Sequence, residues 1–346
     1  MNFETDFLAY SLLRIYKNGK VPDFSVVPLF GDASGRSYCR ISFENMTVVM
    51  MKVADVKPGE FGRGDSFSDF IAIREFFNGL GIKVPEILAV IPEQKALLLE
   101  DLGDLTLFKS IENGGNKFEC VKSAVDLLTE TQKRLSLRKN FDTPADRRSF
   151  TEELFMAEFY HFYEYMIAKR VYHIPYKNLW PELEKFCSEI SKELASLPYF
   201  FSHRDFQSKN IMIKDDKYYL IDFQDALKAP VVYDLVSLLR DSYITLTADE
   251  LSELVRHFWD TNSVVQGLFN DFNTFEHAFY LQTLQRKMKD AGRFVYLNQV
   301  KGKEWFVPYI LPTLGYVKDA FIKLGFEKTL DILAPYVPEF DVRSSK

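Results

Sequence analysis

Cysteine is scarce in this chain of 346 residues, and the marks of secreted and membrane proteins are missing. Cys39, Cys120 and Cys187 are odd in number and widely spaced, which argues against a disulfide framework and against a zinc site. No apolar run approaches the length of a membrane span, and the acidic start lacks the segments of a signal peptide. We therefore expect a soluble, cytoplasmic protein with no membrane partner.

Long basic runs are also absent. The formal net charge is −6, which disfavours nucleic acid as the partner. No GxxxxGK[ST] or GxGxxG motif follows a strand, which excludes a Walker-type NTPase and a Rossmann nucleotide site. Apolar residues make up 47% of the chain, so its length predicts a sizeable core in two lobes or two domains. The sequence indicates no obligate protein partner.

The first hundred residues have the pattern of short strands around one helix. Alternating or β-rich runs predict strands, and apolar spacing predicts a helix over 68–80. The predicted strands are 25–29, 38–43, 47–51, 84–88 and 96–99. Helical spacing dominates from Leu105 onward. We therefore predict an α+β fold of two lobes, a small β-rich lobe over 1–102 and a larger helical lobe over 103–346.

One stretch of the second lobe carries a chemical signature. Residues 203–210 read HRDFQSKN, and a predicted hairpin over 211–221 then ends at Asp222-Phe223. The protein-kinase signature H-R-D-L-x-x-x-N followed by D-F-G has this order and spacing. In phosphoryl transfer one carboxylate orients the attacking hydroxyl, a role that we assign to Asp205. Asn210 and Asp222 would hold the Mg²⁺ ions that bridge the phosphate oxygens of ATP.

The segment after this signature favours a small acceptor. Only twelve positions separate Asp222 from Asp234, too few for the activation loop on which protein kinases seat a peptide. Gln224 also replaces the glycine of D-F-G. Asp234 opens a predicted amphipathic helix as its N-cap or as a brace under the catalytic loop. Two roles are compatible with Asp225: it contacts the metal or the substrate, or it stabilises the turn.

These motifs together resemble the aminoglycoside phosphotransferase and choline kinase superfamily. Within it, the chain is similar to the bacterial anomeric kinases of N-acetylmuramate and N-acetylglucosamine. The stretches that carry the resemblance are 31–38, 98–104, 203–210, 222–241 and 284–292. The resemblance implies a kinase-like two-lobed fold and transfer of the ATP γ-phosphate to the C1 hydroxyl of a free amino sugar in peptidoglycan recycling. It also implies that Asp205 is the base.

The resemblance implies a nucleotide site at the lobe boundary. There the linker that contains Glu100 and Leu102 would bind the adenine edge through backbone groups. In the loop 31–37, the N–H groups around Ser34 and Gly35, together with Arg36, favour a phosphate nest over a plain β-turn.

Lys52 departs from the resemblance, because members of that branch often carry an acidic residue at this position. It fits the ordinary kinase lysine that binds the α- and β-phosphates, provided that a carboxylate on the next helix pairs with it. Asp69 and Glu75 are both possible partners. An exposed lysine at a strand end is the alternative.

Contacts to the acceptor are open as well. Glu158 lies in an aromatic-rich helix that resembles a family stretch lining the acceptor site, although core packing explains the aromatics equally well. Gln285, Arg286 and Lys289 share a helix face and would hold an anionic group such as the lactyl carboxylate of muramate. A solvated charged face is the alternative.

Two further functions are compatible with the sequence. One is a kinase of another small alcohol, namely choline, homoserine, an aminoglycoside or a different sugar. A choline site needs an aromatic and acidic cage, and the chain is rich in aromatics. The other is a nucleotide-binding pseudoenzyme, against which the intact Asp205, Asn210 and Asp222 argue.

Overall fold

A single antiparallel sheet organises the N-terminal part. The computed structural model describes residues 5–15, 21, 23–29, 36–53, 66–170 and 179–340. The elements of this part are α1 (Thr5–Leu12), β1 (Phe24–Leu29), β2 (Arg36–Phe43), β3 (Met46–Val53), α2 (Ser66–Gly79), β4 (Ile87–Ile91) and β5 (Ala96–Glu100). Its five strands pair in the order β1-β2-β3-β5-β4.

The two faces of this sheet have different neighbours, because successive strand side chains alternate between the faces. Cys39, Ile41 and Met50 lie on one face and form a small core with Leu8 and Leu12 of α1. The opposite face packs on α2 and on the helical part of the chain, where the main core lies. The face opposite α1 is therefore the one that meets the helical part of the chain.

Helices dominate the rest of the chain. The elements are α3 (Leu107–Glu112), α4 (Lys117–Ser136), α5 (Glu152–Phe162) with a π-helical continuation (Tyr163–Ala168), α6 (Leu179–Ser196), β6 (Tyr199–Ser202), β7 (Ile211–Lys214), β8 (Lys217–Leu220), β9 (Leu227–Pro230), α7 (Tyr233–Leu239), α8 (Ala248–Thr261), α9 (Ser263–Gln266), α10 (Phe272–Lys301), α11 (Ile310–Lys323) and α12 (Glu327–Leu333). The short strands among these helices form two pairs, β6 with β9 and β7 with β8.

The predicted α+β fold is confirmed, with local differences. The strand predicted at 84–88 begins only at Ile87, since Pro85 offers no N–H for a sheet ladder. The pairing of β6 with β9 was not predicted, because four-residue strands give little periodic signal. The loop around Ser34 and Gly35 lies outside the described residues. No helix in the described part is long and apolar enough to cross a membrane.

The longest helix, α10, forms the spine of the helical part. Asp271 and Thr274 close a capping box at its start, and Gly302 adopts a left-handed conformation just past its end. It crosses α5 at Gly292, where an added Cβ would lie 2.7 Å from Phe162 Cα and 2.9 Å from the His161 carbonyl oxygen. Only glycine permits so close an approach of two helix backbones.

Gly292→Ala should therefore destabilise the protein. The atoms in its way are backbone atoms, so the helices must separate, at a cost of about 1–3 kcal/mol. Gly315→Ala on α11 is the matched control, because a Cβ there meets no atom within 4 Å. That change should be neutral or stabilise by up to about 1 kcal/mol. Urea unfolding of both variants tests this, and equal midpoints would contradict the close crossing.

Candidate active site

A cavity of about 480 Å³ opens between the sheet and the helical part. It brings together most of the residues that the sequence singled out, although these lie far apart along the chain. The predicted residues that line it are Arg36, Glu100, Leu102, Asp205, Asn210, Asp222, Asp225 and Arg286. Lys52 and Glu158 are not among the lining residues.

The loop that carries Asp205 rests on a buried carboxylate. Asp234, in the first turn of α7, accepts hydrogen bonds from Ser202 Oγ at 2.7 Å and from the backbone N–H groups of His203 and Arg204 at 2.7 and 3.0 Å. Its side chain does not cap the helix. Asp234 was predicted to be either an N-cap or a brace under the catalytic loop, and the structure shows that it braces the loop.

A second carboxylate, Asp241, holds the far end of the same loop. It accepts from the backbone N–H and the hydroxyl of Ser208 at 2.8 and 2.6 Å. Between the two anchors Arg204 has φ = +74°, a conformation that is costly for a side chain of this size. The anchors therefore keep the loop in a conformation that it would not adopt alone.

Asp205 projects into the cavity and is oriented by α10. Its side chain is 33% exposed, and its Oδ1 lies 3.3 Å from Nη2 of Arg286. Arg286 is 1% exposed and also donates through Nη1 to the carbonyl oxygen of Arg204 at 2.9 Å. The guanidinium thus holds the backbone and the carboxylate of one loop at the same time.

Asn210 lies beside Asp205 where the hairpin β7–β8 begins. Its Nδ2 donates to the carbonyl oxygen of Asp205 at 2.9 Å, which fixes the orientation of the amide. The backbone N–H of Ile221, next to Asp222, bonds to the Asn210 carbonyl at 3.1 Å. The hairpin thereby brings Asn210 and Asp222 to the same wall of the cavity.

The segment after the hairpin forms a small cluster of carboxylates. Asp222 has φ = +64°, which Asp tolerates better than most residues. Gln224 donates from Nε2 to Asp222 Oδ1 at 3.1 Å and to Asp225 Oδ2 at 3.2 Å, so it holds the two carboxylates together. Asp225 Oδ1 is buried without a hydrogen-bond partner. A pair of carboxylates with an unsatisfied oxygen is an environment that favours a cation.

Arg36 at the start of β2 faces this cluster. Its Nη2 donates to Asp222 Oδ1 at 2.6 Å, and its Nη1 lies 3.7 Å from Asp225 Oδ2. Burial opposes the charge of this side chain, which is 6% exposed, yet Asp222, Asp225 and Asp205 raise the pKa of Arg36. Arg36 is therefore a cation that the sheet contributes to the cavity lining, next to Asp222 and Asp225.

Lys52 lies on the other face of the sheet, so its predicted contact with the phosphates needs correction. Lys52 lies two residues after Met50 in β3, so its side chain points to the same face of the sheet, toward α1. There its ammonium lies 5.0 Å from the Phe7 ring centroid and 3.4 Å from Gln94 Oε1. A shift of one residue along a strand exchanges the two faces. Its predicted partners are also elsewhere: Asp69 pairs with Arg148 at 3.0 Å, and Glu75 is exposed.

The linker between the sheet and the helices is fixed by charges from both sides. The carboxylate of Asp101 accepts hydrogen bonds from Nε and Nη2 of Arg40 on β2, at 2.6 and 3.0 Å. From the hairpin, Lys214 Nζ donates to Glu100 Oε1 at 2.7 Å and to the carbonyl oxygen of Asp101 at 3.0 Å. The linker that contains Glu100 and Leu102 is thus held along one edge of the cavity.

Glu158 belongs to the helix packing instead of the cavity wall. It is buried where α5 meets α10 and accepts a hydrogen bond from Gln285 Nε2 at 2.7 Å. The predicted contact between Glu158 and a sugar is corrected accordingly, and Gln285 is removed from the acceptor face for the same reason. The helix face predicted from Gln285, Arg286 and Lys289 is not a solvated face, because the first two are fully buried.

Sequence reasoning missed the roles of Asp241 and Gln224. Asp241 lies 33 positions from Ser208, so no local spacing connects them. Gln224 was noted only as a substitution for glycine, although an amide next to two carboxylates, at 222 and 225, was a usable signal.

Residues 41–264 match the phosphotransferase enzyme family, and this match spans more than half of the chain. The chain belongs to the phosphotransferase enzyme family. It is a small-molecule kinase that uses ATP and phosphorylates a hydroxyl group, and its fold is the predicted kinase-like fold.

Curated relatives of this phosphotransferase carry one name. The N-acetylmuramate/N-acetylglucosamine kinase of Pseudomonas aeruginosa is 26% identical over 311 residues, which cover 87% of this chain and 85% of that protein. The protein of the same name from Neisseria meningitidis is 28% identical over 304 residues, which cover 86% and 85%.

Among solved structures, the phosphotransferase is similar in fold to a choline kinase from Cryptosporidium parvum. The TM-score is 0.63 at 14% identity, and the match covers 93% of this chain and 98% of that one. An amicoumacin kinase gives a TM-score of 0.61 at 14% identity, with 93% and 94% covered. At these identities the likeness concerns the fold alone.

Arg286→Lys should lower kcat of the phosphotransferase by about 10- to 100-fold, because lysine cannot hold both the Arg204 carbonyl and Asp205. Nucleotide binding, followed by thermal shift, should persist. Arg138→Lys, an exposed site outside the cavity, is the matched control. A variant with the kcat of the native protein would show that Asp205 does not depend on this anchor.

Arg36→Gln and Lys52→Gln should affect the phosphotransferase differently. Loss of the Arg36 charge removes a charge-assisted hydrogen bond and should raise KM for ATP roughly tenfold or more. Lys52→Gln should change KM by no more than about twofold, as is usual for surface changes. Steady-state kinetics with varied ATP compare the two, and the reverse order would contradict the placement of both side chains.

Proposed function

We propose that this protein transfers the γ-phosphate of ATP, with Mg²⁺, to the anomeric C1 hydroxyl of N-acetylmuramate or N-acetylglucosamine, as in cell-wall recycling. The observation that carries the proposal is the single cavity in which Asp205 lies with Asn210 and Asp222. Linker residues 100–104 line the same cavity, where a nucleotide base would fit. Donor and acceptor can therefore meet in one space.

Asp205 is the residue that we assign to the acceptor hydroxyl. A general base must come within hydrogen-bond reach of the proton that it removes, and Asp205 is a partly exposed carboxylate on the cavity wall. Arg286 Nη2 lies 3.3 Å from Asp205 Oδ1 and so orients this carboxylate. The proton of the sugar hydroxyl would pass to Asp205 as the sugar oxygen attacks the γ-phosphorus of ATP, and the bond from that phosphorus to the β–γ bridging oxygen would break so that ADP leaves.

The donor groups at the cavity wall fit Mg²⁺. Asn210 Oδ1 and the carboxylates of Asp222 and Asp225 are hard oxygen ligands, and Asp225 Oδ1 is buried without a partner. The described residues contain no group of three or more His, Cys, Asp or Glu arranged for a metal. This suits Mg²⁺, which typically binds one or two carboxylates together with phosphates and water. When bound, the metal would neutralise charge on the phosphate oxygens.

Arg36 supports the donor side of the proposal. It already supplies the positive charge opposite Asp222 and Asp225 in the structure. A guanidinium in this position suits phosphate oxygens, for which its planar donors match in geometry. We assign Arg36 to the phosphates, in the role that the sequence reading gave to Lys52.

The amino-sugar acceptor is supported by the curated relatives, which match over most of their length and are named N-acetylmuramate/N-acetylglucosamine kinases. The path of the chain agrees with a small acceptor. From Asp222 it passes through β9 directly into α7, which leaves no segment on which a peptide would be seated. The domain division at 102/103 stays part of this proposal.

Choline is disfavoured by the contents of the aromatic cage beside the cavity. Tyr243, Phe108 and Tyr309 surround the ammonium of Lys209, at 3.6, 5.2 and 5.5 Å from their ring centroids. A cage of this kind is what a quaternary ammonium ligand needs. Here a lysine of the chain fills it, so a second cation would meet both a filled cage and a like charge.

An acceptor panel tests the proposal. With ATP and Mg²⁺ the protein should release ADP with N-acetylmuramate or N-acetylglucosamine, and it should not do so with choline, homoserine or an aminoglycoside. Asp205→Asn should lower turnover by about 10²- to 10⁴-fold while nucleotide binding persists. Asp215→Asn, at the exposed hairpin turn, is the matched control. ADP release with a non-sugar only would refute the amino-sugar acceptor.

A further inference from the structure

One ion pair joins α2 to the helical part of the chain. Asp69, in the first turn of α2, has its Oδ2 3.0 Å from Nη2 of Arg148, and the two side chains are only 9% and 14% exposed. The sequence made Asp69 a possible partner of Lys52, but that lysine points to the other face of the sheet. The carboxylate at the start of α2 therefore pairs with an arginine from outside the sheet.

The backbone of Arg148 is fixed to β9. Its carbonyl oxygen accepts from the N–H of Lys228 at 2.9 Å, and the N–H of Phe150 donates to the carbonyl oxygen of Lys228 at 2.8 Å. β9 begins two residues after Asp225, so it continues the chain from the segment 222–225 that carries both carboxylates of the candidate metal site. Arg148 thus links the start of α2 to the strand that leaves this segment.

Aromatic rings of α2 contact the same segment directly. Phe70, the residue after Asp69, stacks on Phe223 with ring centroids 4.6 Å apart and planes at 29°. Phe77, about two turns further along α2, meets the ring of Phe223 edge-on at 5.6 Å. All three rings are buried. The residue that follows Asp222 therefore packs on α2.

Asp222 depends on such support, because its φ of +64° is costly and persists only where the surroundings hold it. Arg36 and Gln224 hold its carboxylate at 2.6 and 3.1 Å, and the packing of Phe223 holds the backbone beside it. Mg²⁺ demands near-ideal octahedral geometry with ligands at about 2.0–2.1 Å. A small displacement of Asp222 would therefore weaken the metal site.

The two ends of α2 are held separately. Just past its C-terminal end, Arg134 Nη1 donates to the carbonyl oxygens of Leu80 and Gly81, both at 3.0 Å. At the other end the ion pair of Asp69 is next to Phe70 and the metal segment. Ring contacts tolerate offsets, whereas two buried charges hold a short distance. Without the ion pair, α2 would stay attached at its far end and could shift at the end that matters to Asp222.

We propose that the Asp69–Arg148 ion pair positions the Mg²⁺ site. It holds the start of α2, and through the stacking of Phe70 on Phe223 it holds Asp222. This inference rests on the proposed function, of which the Mg²⁺ site is part. It goes beyond that function by giving a positioning role to two residues that do not line the cavity.

The test measures binding of a non-hydrolysable ATP analogue by calorimetry, with and without Mg²⁺, in Asp69→Asn and Arg148→Gln. Without Mg²⁺ the affinity should stay within about twofold of the native value, because neither residue lines the cavity. The gain in affinity that Mg²⁺ provides should fall roughly fivefold or more, as is typical of coupling between separate sites. Arg148→Lys should recover part of the gain, since lysine keeps the charge.

A double variant guards against misfolding. Asp69→Asn combined with Arg148→Gln leaves no buried charge unpaired, and it should show the same loss of the gain from Mg²⁺. Arg170→Gln is the matched control, because it breaks an ion pair with Glu339 and neither residue lines the cavity. Hydrogen exchange should be faster over Ser66–Gly79 in the double variant and unchanged there in the control. Thermal unfolding verifies that all variants fold.

A native-sized gain from Mg²⁺ in the folded double variant would overturn the positioning role, whether or not its thermal midpoint falls. The ion pair would then serve stability alone, and the proposed function would stand. An equal loss of affinity with and without Mg²⁺ would also overturn the role, because the nucleotide site as a whole would have changed. If Mg²⁺ adds no affinity even in the native protein, the proposed Mg²⁺ site fails and this inference fails with it.

Discussion

The buried carboxylate of Asp234 is the constraint on which the candidate site depends. It holds the backbone of His203 and Arg204 in a conformation that the loop would not adopt alone, with Arg204 at positive φ. Asp205 is the next residue, so the orientation of its side chain depends on that backbone conformation. Arg286 of α10 bonds to the Arg204 carbonyl and to Asp205, so the same loop is also tied to α10.

Opposite charges divide the cavity into regions. Carboxylates gather after the hairpin, where Asp222 and Asp225 face Arg36 of the sheet. Cations gather on α10 beyond Asp205. The carboxylates favour cations near the hairpin, and the cations of α10 favour anions, because each group attracts charge of the opposite sign. The close crossing at Gly292 keeps α10 where this division requires it.

The sequence predicted those features that depend on short-range order. The spacing of Asp205, Asn210 and Asp222 is local, and the fold brings the three side chains to one cavity. The predicted contact of Lys52 with the phosphates needed correction because sequence does not show which face of the sheet a residue at a strand end occupies. In the folded sheet its side chain points toward α1. The contact of Arg286 with Asp205 spans 81 positions and that of Ser208 with Asp241 spans 33, distances at which no spacing rule applies. Glu158 looked like a site residue because a buried helix pair and a sugar-binding face have the same composition.

Phosphorus NMR of the product formed from ATP and N-acetylmuramate tests the central claim most directly. The account predicts a phosphate ester whose phosphorus couples to the anomeric proton, together with loss of the reducing end of the sugar. A phosphate attached at any other hydroxyl, or release of inorganic phosphate alone, would contradict transfer to the C1 hydroxyl.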